Sequence, residues 1–91
     1  MATGVKTLAK VNIVFFASLK EKIGQSSYLA ELDLPITIEQ LKQLLSNELD
    51  KGDAVLEIGI QSSVDFEFAR DEDLIPVDVK EVAFFPPVTG G

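Results

Sequence analysis

The chain has 91 residues, 46% of them hydrophobic, and carries 15 acidic against 8 basic side chains, for a net charge of −7. That length and apolar content suffice for one small core, while the negative balance argues against a nucleic-acid partner and favours a protein partner with a basic face. Cys and His are both absent, which excludes disulfides, thiolate metal sites, cysteine nucleophiles and the commonest general base, so neither a metal site nor a self-contained enzyme is expected.

No apolar run approaches the roughly 20 residues that span a bilayer, and the first residues lack a signal-peptide core. A cytoplasmic chain without membrane contact is therefore expected, forming a single domain over 1–91. Residues 1–9 have weak patterning with Gly4 inside them and read as a loose lead-in. From Lys10 the chain turns to β: alternation puts Val11, Ile13 and Phe15 on one face and Asn12, Val14 and Phe16 on the other. The face without Asn12 is the expected core side. Residues 17–24 read as a short helical turn with Leu19 and Ile23 four apart and Gly24 as its stop. A second strand is expected over 28–34, burying Tyr28, Ala30, Leu32 and Leu34 and exposing Leu29, Glu31 and Asp33.

The main helix announces itself by its start. Pro35 stops the strand, Thr37 and Gln40 form a capping box, and Ile36 and Leu41 sit at the positions of a hydrophobic staple. Ile38, Leu41, Leu44, Leu45 and Leu49 then make one apolar stripe, with Glu39, Lys42, Gln43, Ser46 and Glu48 around the remainder. Gly52 offers a stop, after which Leu56, Ile58 and Ile60 alternate with Glu57, Gly59 and Gln61 as an expected third strand. A short fourth strand is expected over 65–68 with Phe66 and Phe68 as its apolar pair. Residues 70–73 read as a solvated charged loop, since their spacing matches no set of oxygen ligands for a cation. Leu74, Ile75 and Val77 are expected to pack beneath it. The last strand, over 80–85, should turn Val82 and Phe84 inward and Ala83 and Phe85 outward.

Two strands, one long helix and two or three further strands describe an α+β roll. One striped helix covers only one face of a mixed four- to five-stranded sheet, and the ubiquitin-like β-grasp fits that order best. The adjacent aromatics Phe15-Phe16 and Phe84-Phe85 cannot all enter one core. Val14, Phe16, Val64 and Phe85 are therefore expected to form a partner-docking patch on the open side.

Beyond Phe85 the residue types change character. Pro86-Pro87 should form a stiff stalk, followed by Val88 and Thr89, and Gly90-Gly91 can enter a slot too narrow for a side chain. Six residues past Phe85 reach at most about 20 Å, enough to enter a partner's active site.

The stretch Glu81-Val82-Ala83-Phe84-Phe85-Pro86-Pro87-Val88-Thr89-Gly90-Gly91 resembles the C-terminus of the small, sulfur-carrier subunits of molybdopterin synthases. Phe15-Phe16-Ala17, Leu19-Lys20-Glu21 and Gly24 are similar to that family's start. The chain departs from the family pattern at Val79-Lys80, where a Gly-Asp turn is usual, and at Gln61, where an Asn is usual. The loop before the last strand is also a few residues longer. The resemblance implies that the Gly91 carboxylate is adenylated with ATP by an activating enzyme and converted to a thiocarboxylate. It also implies that the tail, Pro86 to Gly91, inserts into a large subunit that supplies the catalytic residues and moves sulfur onto a cyclic pyranopterin. The partners it implies are that large subunit, in a heterotetramer, and the nucleotide-binding activating enzyme, with no cofactor held by this chain. Related carriers for thiamine synthesis or tRNA thiolation share the fold and the Gly-Gly but lack the double proline. A β-grasp interaction module without chemistry at its terminus is the remaining alternative.

Overall fold

The computed structural model describes residues 7–87. Apolar alternation produces the first strand, but β1 spans Thr7–Phe15 and so begins earlier than its side-chain pattern. Thr7, Leu8 and Ala9, assigned above to a loose lead-in, pair antiparallel with Leu34, Asp33 and Leu32 of β2, Ser27–Leu34. Backbone pairing needs no apolar alternation, which is why the sequence did not reveal them. Residues 1–6 of the lead-in lie outside the described residues. Between the two strands, α1 covers Ala17–Ile23, buries Leu19 and Ile23, and ends at Gly24 in the left-handed region.

Helix α2, Ile38–Glu48, starts as its capping chemistry dictates. The Gln40 N–H donates to Thr37 Oγ1 at 3.1 Å and the Thr37 N–H donates to Gln40 Oε1 at 2.8 Å, satisfying two donors that a helix start would otherwise leave open. Ile38, Leu41 and Leu45 are fully buried, Leu49 is nearly so, and Leu44 is half-buried. Lys42, read above as solvent-facing, is instead buried, and its Nζ pairs with Asp71 Oδ1 at 2.8 Å. The charged loop 70–73 therefore does more than keep the surface wet. Its Asp73 and Asp71 carbonyls accept the N–H groups of Ile38 and Glu39, both at 3.0 Å, in the first turn of α2.

Residues 52–69 depart most from expectation. Gly52–Leu56 form a 3₁₀ helix rather than leading into a strand. Gly52 is pressed against α2 so closely that a Cβ there would collide with the Leu45 carbonyl oxygen, and Ala54 and Val55 are buried beside it. Leu56 and Ile58, expected to point inward from a strand, are exposed, Ile58 completely. The strands come later, as β4, Gln61–Val64, and β5, Glu67–Ala69, paired antiparallel. Asp65 and Phe66, read as strand residues, are the turn between them, with φ of 47° and 73°. Positive φ at both central positions matches the twist of a tight hairpin. Asp65 holds the turn against the chain before the last strand, its Oδ1 accepting the N–H groups of Lys80 at 3.0 Å and Glu81 at 2.9 Å. Phe66 and Phe68 are consequently exposed rather than an inward apolar pair.

Ile36–Thr37, β3, pairs with Leu74–Ile75, β6, in a two-stranded sheet that buries Ile75 and leaves Leu74 exposed. The last strand, β7, is Glu81–Phe85. It lies inside the main sheet, whose order is β2-β1-β7-β4-β5, parallel to β1 and antiparallel to β4. The α2 stripe and the inward residues of the strands share one core cluster, so α2 covers one face. This is the ubiquitin-like β-grasp arrangement. Among the described residues no helix is long and apolar enough to cross a membrane.

Candidate functional site: the tail exit and the uncovered sheet face

Strand pleating decides which side chains can meet a partner. Val82 and Phe84 stand beside Ile13 and Phe15 in register and face α2, with the Phe15 and Phe84 rings stacked at 6.4 Å and 19°. The residues between them, Ala83 and Phe85 on β7 and Val14 on β1, therefore turn to the uncovered face. Val14 and Phe85 are half-buried there. Phe16 is half exposed, follows β1 as the N-cap of α1, and donates its N–H to the Phe84 carbonyl at 3.1 Å. Alternation carries it to the same side as Val14.

Val64 is corrected. It sits opposite Val82, which faces α2, and it packs half-buried against the core. The two-residue period of the pleat puts it on the other side of the sheet from Val14 and Phe85. Its place beside Phe85 is taken by Phe68, whose ring meets that of Phe85 at 5.8 Å and 63°. Val14, Ala83, Ser63 and Phe68 form one register row across four strands. Ala83, expected to be outward, is on the uncovered face yet only 5% exposed, because a methyl group is overshadowed by its larger neighbours. Phe68 was missed because the hairpin turn at Asp65-Phe66 lacks the Asn-Gly type of signature that would have set the register.

The tail leaves from β7, a strand hydrogen-bonded on both sides, so its root is held by the centre of the sheet. Pro86 is half-buried and Pro87 exposed. Both line a notch of about 270 Å³ together with Leu19, Lys22, Ile58 and Ile60. Val88, Thr89, Gly90 and Gly91 lie outside the described residues. The Tyr28 phenol is pushed above its ordinary value, first by the hydrogen bond it donates to Glu48 Oε1 at 2.8 Å, then by burial and the Glu48 charge. Tyr28 sits opposite Ile13 on the α2 side and takes no part in the patch.

A model of the ThiS family matches residues 13–91, from the end of β1 through the remaining strands and the tail sequence. The chain belongs to the ThiS family. It is 35% identical over 81 residues to the molybdopterin synthase sulfur carrier subunit of Escherichia coli (strain K12), covering 89% of this chain and 99% of that relative. With the corresponding subunit of Haemophilus influenzae it shares 37% identity over 86 residues, with the same coverage. Among solved structures, small archaeal modifier protein 1 from Haloferax volcanii aligns with a TM-score of 0.71 at 22% identity, over 91% of this chain and 100% of the other. A putative molybdopterin converting factor, subunit 1, from Pyrococcus furiosus aligns with a TM-score of 0.69 at 17% identity, over 87% and 98%. At those identities the two structures speak to the fold, which is the ubiquitin-like β-grasp.

Proposed function

We propose that this chain is the sulfur carrier of a molybdopterin synthase, acting through the carboxylate of Gly91. The observation that carries the reading is its 35% and 37% identity, over 89% of its length, to two molybdopterin synthase sulfur carrier subunits. Chemistry supports it. A chain without cysteine has no thiol to carry sulfur, and an ionised carboxylate is a poor electrophile until an acyl adenylate gives it a leaving group. An activating enzyme supplies that step with ATP, sulfur displaces the adenylate to leave a thiocarboxylate, and the catalytic subunit moves the sulfur onto a cyclic pyranopterin. The chain itself holds no cofactor and works in the cytoplasm. Pro86 and Pro87 serve as the stalk, Val88, Thr89 and Gly90 as the inserted lead, and Val14, Phe16, Phe68 and Phe85 as the docking surface.

Intact-mass measurement tests this. Co-expression with a molybdopterin-type activating enzyme is expected to exchange one oxygen for sulfur at Gly91, and the product is expected to support dithiolene formation with the large subunit. Exchange only with thiamine-type or tRNA-type activating enzymes would assign the chain to those routes. No exchange with any of them would leave an interaction module.

A further inference from the structure

The turn over 57–60 lies against Pro87 at Gly59. Gly59 has φ of 92°, a conformation that strains any side chain, and a Cβ built on it would stand 3.0 Å from Pro87 Cγ and 3.3 Å from Pro87 Cβ. The Pro87 ring thus occupies the space where a side chain at 59 would begin. The turn is fixed from below by the Glu57 N–H to Ala54 carbonyl and Ile60 N–H to Glu57 carbonyl hydrogen bonds, both 3.3 Å. It is tied sideways to α1 by the Lys22 to Glu57 ion pair at 2.8 Å. Helix α1 is in turn tied to β7 by the Phe16 N–H to Phe84 carbonyl bond. The root of the tail, the helix and the turn therefore brace one another around the notch that Pro86 and Pro87 line.

We infer that Gly59 is a positioning residue: by leaving room for the Pro87 ring, it fixes the direction in which the chain leaves the body at Pro87. Proline limits the stalk's internal freedom, but stiffness alone does not aim it. A seat at the second proline does. The use of that aim rests on the carrier reading, since a tail launched in one direction loses less freedom on entering a partner's active site. The seat itself is a property of the chain alone.

Because the chain has no native cysteine, two can be added for spin labels, Gln43→Cys on exposed α2 surface and Thr89→Cys beyond the stalk, and the distance distribution between them measured. Gly24→Ala is the matched control: Gly24 has φ of 90° and nothing within 4 Å of a built Cβ, so it carries the same backbone strain without the Pro87 contact. Gly59→Ala is expected to shift the distribution or broaden it, as an unseated spacer would, while Gly24→Ala leaves it unchanged. Pro87→Gly, which removes the ring and leaves the turn intact, is expected to broaden it as well and covers the case in which Gly59→Ala fails to fold. An unchanged distribution in Pro87→Gly, or in a folded Gly59→Ala, would overturn the inference, as would equal broadening in Gly24→Ala. No partner or sulfur chemistry enters the measurement, so its failure is distinct from failure of the carrier reading.

Discussion

Phe68 meets Phe85 edge-on across the uncovered face of the sheet, with ring centroids 5.8 Å apart and planes at 63°. Phe68 is 79% exposed, so it contributes little to burial within the chain and presents most of its apolar surface outward beside the half-buried Phe85. Aromatic anchors of this kind dominate binding where a partner covers them. Phe68→Ala and Phe85→Ala are each expected to weaken binding to the large subunit by more than about 1 kcal/mol, with a coupling between them of about 0.5–1.5 kcal/mol. Calorimetric titration of both single variants and the double variant checks this, and unchanged affinity in Phe68→Ala would remove it from the docking surface.

The Asp65 carboxylate accepts two backbone N–H groups from the segment entering β7. Asp65→Ala removes both bonds and places alanine at positive φ, so a loss of about 1–3 kcal/mol is expected. Asp65→Asn keeps an acceptor oxygen and tolerates the left-handed region, so it should lose less. Urea unfolding of the two variants gives the order directly.

Lys42 is buried while its partner Asp71 is half exposed. Removing Asp71 leaves an ammonium group unpaired beside the core, whereas Lys42→Met replaces the stem with apolar volume and removes the charge. Asp71→Ala is expected to cost about 1–2 kcal/mol, the exposed carboxylate keeping the value low, and Lys42→Met less than about 1 kcal/mol. Denaturant midpoints decide between this order and its reverse.

Gly52 has no room for a side chain, because a Cβ would also come within 2.9 Å of Ser46 Cα and 2.8 Å of the Leu45 carbonyl carbon. Gly52→Ala must push the 3₁₀ helix off α2, at an expected cost of about 1–3 kcal/mol. The resulting fall in melting temperature should appear in a circular-dichroism scan.

Deleting Gly91, or adding one residue after it, is expected to abolish sulfur transfer while leaving the unfolding transition unchanged, since chain ends outside a core contribute little to stability. Dithiolene formation assayed with the truncated chain and the large subunit is the check, and retained formation would contradict the carrier reading.

What the sequence determined by itself was local. Val11, Ile13 and Phe15 alternate because a strand has one buried face, and Thr37 with Gln40 starts α2 through bonds spanning three residues. Both signals are complete within a few neighbours, and so were the helix stop at Gly24 and the inward turn of Val82 and Phe84. Tertiary structure decided whatever depended on distant chain. Leu56, Ile58 and Ile60 alternate as a strand would, yet the close approach of Gly52 to α2 bends that segment into a 3₁₀ helix and a turn. Lys42 is buried because Asp71, 29 residues away, reaches it. The sequence reads Pro86-Pro87 as a stalk, but where Pro87 is seated lies beyond it: that depends on Gly59 meeting Pro87, a contact no local pattern encodes.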